Sequence, residues 1–485
     1  QRRGSVIFEI VNDSLEFNYM GEDNSLENIS KELSSLYKNN YEKFIKKIDI
    51  NKTKSLLKLC LLVNSAHPLS DINLHWYYNP VTDLLEPTIR EAWANNLPNK
   101  NLYDLQSLFT LPSENKLLSD FLTDDLSKEI LDELINEIDK IEQIIDYNAD
   151  YLELKDQMIG FGNSINIREQ IIKNNISTLR SKKKNYSLND NVTSKEKIEI
   201  KKDTTIRGEF IVNKNQELVI YEGVRLLLED AYLKIYGGFE ARGNKINPIY
   251  IKGVNNYGTI FFNTEQDVII NNVVFENLTN TQSLYNQPAS ITFYECDSVT
   301  IDNSSFSSNI KGDDFINFFR SNNIRINNST FSNILSDAID SDFSNIQISN
   351  SKFYNIGNDA VDGSGSNVTL INNSFENILD KAISAGEKST FESEDNFFIN
   401  NEIGLVSKDG SKINSKNDTF KNNQIDIASF IKKVFYASPE IFLENTSITK
   451  YLIEDGSIVK GVDSVQYSSN VEEKLYGNLY GRASD

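Results

Sequence analysis

A phenylalanine repeat in the second half of the chain constrains the fold more than any other feature of the sequence. Seven phenylalanines are each followed two residues later by Asn or Ser, at spacings of 31, 25, 22, 22, 23 and 22 residues. They are Phe275, Phe306, Phe331, Phe353, Phe375, Phe398 and Phe420. A nearly constant period of this length indicates stacked structural units, each of which buries its phenylalanine against the next.

Every repeat also contains a short alternating stretch, as in Asn345-Ile346-Gln347-Ile348. Alternation of apolar and polar residues is typical of a strand with one buried face. The Asn after each phenylalanine falls where the chain must turn, and Asn tolerates left-handed backbone geometry there. From these patterns we predict a parallel β-helix over residues 204–430, with about nine or ten coils. Phenylalanine is assigned to the core and Asn to the turns, with no catalytic role for either.

The segment 204–253 resembles the opening coils of extracellular right-handed β-helix proteins. It is rich in short apolar strands such as Leu226-Leu227-Leu228 and Pro248-Ile249-Tyr250-Ile251. The resemblance implies a right-handed solenoid whose first coil is shielded by this segment. The expected fold class is therefore mainly β.

The first 185 residues have a different period. Apolar residues from Leu126 to Ile145 recur every three to four positions, and a second such stretch runs from Ile167 to Leu179. This spacing predicts amphipathic helices, and hence a mostly α-helical module over residues 1–185. Residues 186–203 lose the periodicity and are predicted to be a linker, while 431–485 are expected to be a C-terminal cap and tail.

The charge balance argues against several classes of partner. The chain of 485 residues carries 70 acidic and 49 basic side chains, a formal net charge of −21. Nucleic acids and anionic membranes both require clustered positive charge, so neither is an expected partner. The longest apolar stretch, residues 56–63, is too short to span a bilayer. No signal peptide is visible, but the chain opens without Met.

Aligning the repeats on phenylalanine places several acidic residues in columns. One column contains Asp337, Asp359 and Lys381, each six residues after its phenylalanine, and an insertion brings Asp314 into it. The second column contains Asn317, Asp340, Asp362 and Ser384. Strand alternation also turns Asp342 outward. Successive coils lie about 4.8 Å apart, so these carboxylates are expected to stack at close range.

Stacked carboxylates repel one another unless a cation, a basic ligand or protonation relieves the charge. The columns therefore predict a site for Ca²⁺, held by Asp340 and Asp362, or for a sugar. Candidate catalytic residues are Asp337, Asp340, Asp359, Asp362 and Lys381, and candidate ligand-binding residues are Asp314, Asn317, Arg320 and Asp342. The alternative is that a chain with so many acids places some of them in register without a function.

Right-handed β-helix lyases, epimerases and glycosidases place Asp clusters on an outer sheet in a similar way. In glycosidases two carboxylates act as acid and base, whereas lyases and epimerases often add a Lys or Arg base. The leading hypothesis is therefore a secreted or cell-surface, pectate-lyase-like protein that binds a polysaccharide on its acidic face, with cleavage or epimerisation as the implied chemistry. A purely structural solenoid is an alternative. The sequence does not set the polymer or the oligomeric state.

A second resemblance lies in the first half. Tyr77-Tyr78-Asn79-Pro80 followed by Glu86-Pro87 resembles a segment of the spore-coat-protein-H-like (CotH) atypical kinase family. The resemblance places Asp71 and Asn73 in a catalytic loop and Glu91 at a metal-binding position. It implies a kinase or pseudokinase carrying a β-helix targeting module. Mg-ATP is expected only if a nucleotide-binding lobe precedes residue 1, because no Gly-rich loop precedes Asp71, and this chain by itself is expected to lack kinase activity.

Overall fold

A computed structural model describes residues 6–11, 14–18, 24–63, 69, 74–79, 82–89, 116–147, 173, 175–177, 179–180, 196–280, 289–309, 312, 314–462 and 464–476. The chain divides into two units. The first comprises Gln1–Val192 with Leu284–Asn286, and the second comprises Thr193–Ser283 with Gln287–Asp485.

The first unit combines helices with an antiparallel sheet of four strands in the order β2-β1-β3-β4. The strands are β1 (Val6–Val11), β2 (Ser14–Asn18), β3 (Leu74–Asn79) and β4 (Leu84–Ile89). The helices are α1 (Asn24–Asn39), α2 (Tyr41–Ile45), α3 (Ile50–Val63), α4 (Lys116–Phe121) and α5 (Asp124–Tyr147). Helix α5 contains the predicted apolar stripe, and its buried Ile130 and Ile138 share one core with Trp76 of the sheet. The mostly α-helical module is not confirmed, because the described part of this unit also holds the sheet.

The second unit is a parallel β-solenoid of about 11 turns. Sheet 1 has twelve parallel strands, and each is one coil away from the next. Its strands are β5 (Glu196–Ile200), β7 (Gln216–Ile220), β9 (Gly238–Arg242), β11 (Val268–Asn271), β14 (Val299–Asp302), β17 (Ile324–Asn327), β20 (Asn345–Ser349), β23 (Asn367–Ile371), β26 (Thr390–Glu394), β29 (Lys412–Lys416), β32 (Glu440–Glu444) and β34 (Ile458–Lys460).

Two further sheets complete each coil. Sheet 2 contains β12 (Val273–Glu276), β15 (Ser305–Ser307), β18 (Thr330–Ile334), β21 (Lys352–Ile356), β24 (Ser374–Ile378), β27 (Phe397–Ile399) and β30 (Thr419–Lys421). Sheet 3 contains β13 (Ala289–Tyr294), β16 (Asp314–Phe319), β19 (Asp337–Asp342), β22 (Val361–Ser364), β25 (Lys381–Gly386), β28 (Ile403–Lys408), β31 (Ile425–Phe430), β33 (Tyr451–Glu454) and β35 (Tyr467–Ser468). In the first coils the long strands β6 (Thr204–Val212), β8 (Arg225–Ile235) and β10 (Ile249–Phe262) take the place of separate strands of these sheets.

The predicted phenylalanine ladder forms the centre of the core. Rings of neighbouring coils stack almost parallel along sheet 2, with centroids 4.9 Å apart for Phe275 and Phe306 and 4.7 Å apart for Phe331 and Phe353. The ladder ends at Phe420, whose ring centroid lies 4.8 Å from that of Phe398. Large aromatic side chains buried in this way supply much of the free energy that holds successive coils together.

The Asn ladder occupies the turns, as predicted. Asn333, Asn355 and Asn377 have φ values of 53°, 56° and 56°, which lie in the left-handed region that Asn tolerates. Their side chains also link the coils, since the amide of Asn355 donates to the Oδ1 atom of Asn333 at 3.1 Å. Each turn therefore fixes both the bend of the chain between two sheets and the register of the next coil.

The solenoid extends beyond the range expected from the repeat. It begins with β5, inside the predicted linker, because Ile198 and Ile200 alternate with charged residues in a pattern too short to stand out from the sequence alone. At the other end β32 to β35 continue the stack past residue 430. The C-terminal helix α6 (Val471–Tyr476) buries Val471 and Leu475 against Val406 and Phe430 of sheet 3.

Candidate functional site

The two predicted acidic columns meet on sheet 3, where β16, β19, β22 and β25 lie side by side. Asn317 pairs in register with Asp340, Asp340 with Asp362, and Asp362 with Ser384. The alternation of β19 buries Ile339 and leaves Asp340 and Asp342 partly exposed on the outer face. The register predicted from the phenylalanine alignment is therefore the register of the strands.

The first column forms a buried ionic cluster at the start of these strands. Lys381 Nζ lies 2.9 Å from Asp359 Oδ1 and also pairs with Asp380. The Lys381 and Asp359 side chains are only 4% and 5% exposed. Backbone amides connect the coils, since Asp359 N donates to Asp337 Oδ1 at 2.8 Å and Lys381 N donates to Asp359 Oδ1 at 3.1 Å. The cluster thus connects three successive coils beneath the outer face of sheet 3.

In the second column Asp340 and Asp362 are partly exposed, while Asn317 and Ser384 are buried. Asn317 Nδ2 donates to Asp340 Oδ2 at 2.8 Å and to Asp342 Oδ2 at 3.3 Å. One amide thus bridges two carboxylates on the next coil. The side chain of Asp362 is 23% exposed and faces Lys408 from two coils further on, with Nζ 3.8 Å from Asp362 Oδ1.

Lys408 and Asp380 were missed by the sequence analysis. Lys408 reaches Asp362 because Gly386 on the intervening strand has no side chain, and a Cβ atom there would meet Lys408 Cε at 2.9 Å. A glycine between two polar positions in the aligned coils is the signal that could have indicated this approach. Asp380 precedes Lys381 directly in the sequence, and only the turn geometry brings its carboxylate back to the ammonium.

The carboxyl groups differ strongly in acidity. Burial, and then the charges of Asp342 and Asp362, raise the pKa of Asp340 well above its usual range. Burial and the neighbouring Asp359 do the same for Asp337. Burial raises the pKa of Asp359 to about 6, although Lys381 opposes this rise.

Asp362 behaves in the opposite way. Burial alone would raise the pKa of its carboxyl group, but Lys408, Ser384 and Lys381 together hold that pKa below the usual range. The site therefore combines carboxyl groups that retain a proton with one that loses it readily. This arrangement provides a proton donor and an ionised carboxylate on adjacent coils.

Three of these residues could share a metal ion. Asp337, Asp359 and Asp362 each offer a carboxylate oxygen, and these oxygens all lie within 4.8 Å of one another. Oxygen ligands of this kind suit a hard cation such as Ca²⁺. The pair of metal ligands predicted from the sequence, Asp340 and Asp362, stays a prediction, and the oxygens that lie close together belong to Asp337, Asp359 and Asp362.

The remaining candidates lie at the margins of the site. Asp314 is 3% exposed at the start of β16, in register with Asp337. Arg320 follows β16, where its guanidinium lies 3.6 Å from Glu295 and 5.1 Å from the centre of the Phe319 ring. Arg320 thus lies at the edge of the cluster, and Asp314 lies buried one coil before Asp337.

The kinase-like candidates Asp71, Asn73 and Glu91 lie outside the described residues. The motif around them is described in part, as the hairpin of β3 and β4, in which buried Asn79 donates to Glu86 at 2.6 Å. This contact explains the Asn and Glu of the motif as structural partners. Among the described residues, no helix is long and apolar enough to cross a membrane.

The stability contributed by Asp359 should increase by about 2 kcal/mol as the pH falls from 7 to 4.5. Asp337 and Asp340 act in the same direction, because their pKa values are also raised, and Asp362 acts in the opposite direction. The raised pKa of Asp359 means that the folded chain binds this proton more tightly than the unfolded chain does, so ionisation above pH 6 opposes folding. Stability is therefore lost as the pH rises through the folded pKa. Urea unfolding at several pH values measures this, and Asp359→Asn should remove the part of the pH dependence that Asp359 contributes. If Ca²⁺ at pH 7 removes the dependence in the wild-type protein, a bound cation rather than a proton relieves the charge.

Comparisons with known proteins support the fold. The family described as "Right handed beta helix region" matches residues 289–448, so the predicted right-handed parallel β-helix is confirmed for this part of the chain. No match supports the CotH resemblance of the first half. No curated protein matches the chain in sequence.

One solved structure similar to this chain is the crystal structure of alginate lyase from Paenibacillus sp. str. FPU-7. It has 10% sequence identity and a TM-score of 0.29, and the alignment covers 54% of this chain and 98% of that one.

Proposed function

We propose that the β-helix binds an extended polysaccharide along the outer face of sheet 3 and hydrolyses its glycosidic bonds, with Asp340 as general acid and Asp362 as base or nucleophile. The observation that carries this proposal is the pairing of the two carboxyl groups. They occupy adjacent coils in strict register, and their surroundings move their pKa values in opposite directions. Pairs of this kind mark the acid and base of an active site.

Glycoside hydrolysis requires such a pair. One carboxylic acid protonates the leaving oxygen, while an ionised carboxylate attacks the sugar or activates water. Asp340 keeps its proton to a higher pH than an ordinary carboxyl group, because burial and the neighbouring carboxylates raise its pKa. Asp362 stays ionised because Lys408 stabilises its negative charge. Both side chains are partly exposed, which a bound polymer requires.

The buried column has a supporting role in this proposal. Lys381 is held between Asp359 and Asp380, so it balances their charge instead of accepting a proton from a substrate. This favours hydrolysis over a lyase or epimerase reaction with a lysine base. Partly exposed Asp342 borders the acid and offers hydrogen bonds to sugar hydroxyls, whereas buried Asn317 holds Asp340 and Asp342 in place. Asp337 is one of the neighbouring carboxyl groups that raise the pKa of Asp340.

The solenoid suits this substrate because its stacked coils form a long rigid surface on which an extended chain can lie. A polysaccharide substrate is consistent with secretion or display at the cell surface, where such polymers occur. Calcium at Asp337, Asp359 and Asp362 would compete with the protons on these groups and would engage the Asp362 carboxylate, so the hydrolysis is proposed for the site without calcium.

The test compares wild type, Asp362→Asn and Asp340→Asn on polygalacturonate, alginate, xylan and amylose. New reducing ends and the dissociation constant are measured for each polymer. On the polymer that the wild type cleaves, each variant should lose at least about a hundredfold in rate, because each removes one half of the acid and base pair, while binding changes little. Asp340→Asn should also remove the alkaline limb of the pH profile.

The control is Asp395→Asn, which changes an exposed turn residue at φ 56° into the residue type found at equivalent turns. It should retain full activity and stability. Cleavage at wild-type rates by Asp362→Asn would overturn the assignment of that residue. If the wild type binds a polymer without cleaving it, the hydrolysis is wrong and the protein only binds polysaccharide. If it neither binds nor cleaves any of the four polymers, a structural solenoid is supported.

A further inference from the structure

The turn that follows β19 holds a phenylalanine in a backbone conformation that rarely suits one. Phe343 has a φ of 50°, which lies in the left-handed region. Among the non-glycine residues that the structure describes, it is the only apolar residue with a positive φ, and most of the others are Asn. A bulky side chain is strained in this region, and such strain is concentrated at functional positions.

The ring of Phe343 is exposed and yet fixed in place. Its side chain is 59% exposed. On one side the ring meets that of Phe319 edge-on, with the two centroids 6.1 Å apart. On the other side it lies over Gly365 of the next coil, where a Cβ atom would come within 2.7 Å of the ring. The neighbouring coils therefore hold a flat apolar surface open to solvent.

This surface borders the proposed acid. Phe343 directly follows Asp342, and Asp340 lies three residues before it. At about 3.3 Å per residue along a strand, the Cα atoms of Asp340 and Phe343 are at most about 10 Å apart. Phe318 belongs to the core, so alternation turns Phe319 outward, in register with Asp342. The ring thus contacts the side of sheet 3 that carries the carboxyl groups.

An exposed phenylalanine by itself does not indicate a site. Phe397 on sheet 2 is 43% exposed, but its φ is not positive, and it lies on a different sheet from the carboxyl groups. Phe343 combines exposure, a strained backbone and a position beside Asp340. This combination points to a role for the ring at the site.

The polar groups near the ring favour a neutral sugar over an acidic one. Asp342 is partly exposed, and its carboxylate accepts hydrogen bonds from hydroxyl groups. Arg320, in the equivalent turn of the preceding coil, already has the Glu295 carboxylate 3.6 Å from its guanidinium. A sugar acid would bring another negative charge next to Asp342, and like charges at a binding surface disfavour a partner.

A neutral pyranose matches these groups. Its C–H face is apolar and can lie flat on an aromatic ring, while its hydroxyls reach polar side chains at the rim. We infer that Phe343 is the stacking platform of a sugar subsite beside Asp340, which takes a pyranose residue of a neutral polysaccharide and accepts one of its hydroxyls at Asp342. The inference rests on the proposed function of sheet 3, for which it names the substrate class.

The experiment measures binding of xylan, amylose, polygalacturonate and alginate by titration calorimetry of the full-length chain. Every protein carries Asp362→Asn, so that no polymer is consumed. At least one neutral polymer should bind at least about tenfold more tightly than either acidic polymer. Phe343→Asn should weaken this binding at least about tenfold, because Asn suits the left-handed turn but has no ring. Phe343→Tyr should retain the affinity.

Phe343→Leu keeps an apolar side chain against Phe319 without the flat ring, and it should also weaken binding. Phe397→Asn is the matched control, since it removes an exposed phenylalanine from sheet 2 and should leave the affinity unchanged. Thermal unfolding without polymer establishes that each variant is folded at the titration temperature. The inference is overturned if neither neutral polymer binds, if an acidic polymer binds more tightly, or if Phe343→Asn and Phe397→Asn have the same affinity.

Cleavage separates this inference from the proposed hydrolysis. With Asp362 restored, Phe343→Asn should raise KM at least about tenfold and leave kcat within about threefold, because the ring binds the polymer without taking part in proton transfer. Loss of binding in Phe343→Asn, for a polymer that the wild type binds but does not cleave, would support the platform and contradict the hydrolysis. Unchanged binding and KM in this variant, for a polymer that the wild type cleaves, would contradict the platform alone.

Discussion

Replacing Lys381 by methionine should destabilise the β-helix by about 3–5 kcal/mol. The ammonium of Lys381 is buried and pairs with both Asp359 and Asp380. Methionine preserves most of the packing volume but leaves two carboxyl groups buried without their cation. Losing one partner of a buried pair is costly because the remaining charge is neither solvated nor neutralised. Urea unfolding of the full chain at pH 7 measures the loss.

The same substitution at an exposed lysine provides the control. Lys352→Met on sheet 2 removes an ammonium that water already solvates, so its effect should stay within about 0.5 kcal/mol. Combining Lys381→Met with Asp359→Asn should recover more than half of the loss, because a neutral amide replaces one orphaned carboxylate. Equal losses for Lys381→Met and Lys352→Met would mean that the buried ion cluster contributes nothing.

Acidification should also reduce the loss caused by Lys381→Met. Without the ammonium, the pKa of Asp359 rises above its value of about 6, so the carboxyl group becomes protonated at a higher pH. A group whose folded pKa is raised contributes most favourably when it is protonated, so stability is regained as the pH falls through that value. The difference between variant and wild type should therefore be smaller at pH 5 than at pH 7. A constant difference would contradict the electrostatic explanation.

The repeat made most of the fold predictable. A period equal to the length of one coil fixes which residues stack, so Phe353 could be assigned to the core and Asn355 to a left-handed turn without coordinates. The same alignment placed Asp340 opposite Asp362, because strand register in a solenoid follows from repeat length. Contacts between residues at equivalent positions of neighbouring coils can thus be predicted from the sequence.

Contacts between residues that occupy different positions of the repeat could not be predicted in this way. Lys408 reaches Asp362 across two coils only because its long side chain lies over Gly386. The difference in acidity between Asp340 and Asp362 depends on that contact, so the sequence indicated an acidic cluster without distinguishing a proton donor from an ionised carboxylate. In the first half no repeat exists, and the antiparallel strands β1 and β2 pair through register that residue periodicity does not specify.

Phe353→Ala should cost about 3–5 kcal/mol of stability, because it removes a ring from the middle of the ladder. The ring is fully buried, and its centroid lies 4.7 Å from that of Phe331 on one side and 4.9 Å from that of Phe375 on the other. Alanine leaves a cavity between coils whose backbones are fixed by hydrogen bonds, so the neighbouring rings cannot close the gap. Phe353→Leu should lose less than half as much stability as Phe353→Ala.

Phe397→Ala is the matched control for this ladder. Phe397 belongs to the same sheet, but its side chain is 43% exposed on the outer face, so its removal should cost less than about 1 kcal/mol. Thermal and urea unfolding of the three variants distinguish burial in the ladder from a general effect of losing an aromatic ring. Because each coil contacts only its neighbours, a gap at Phe353 also weakens the coupling between the two ends of the solenoid. A second unfolding transition in Phe353→Ala alone would reveal this uncoupling, whereas losses of equal size at Phe353 and Phe397 would show that the stacked rings do not hold the coils together.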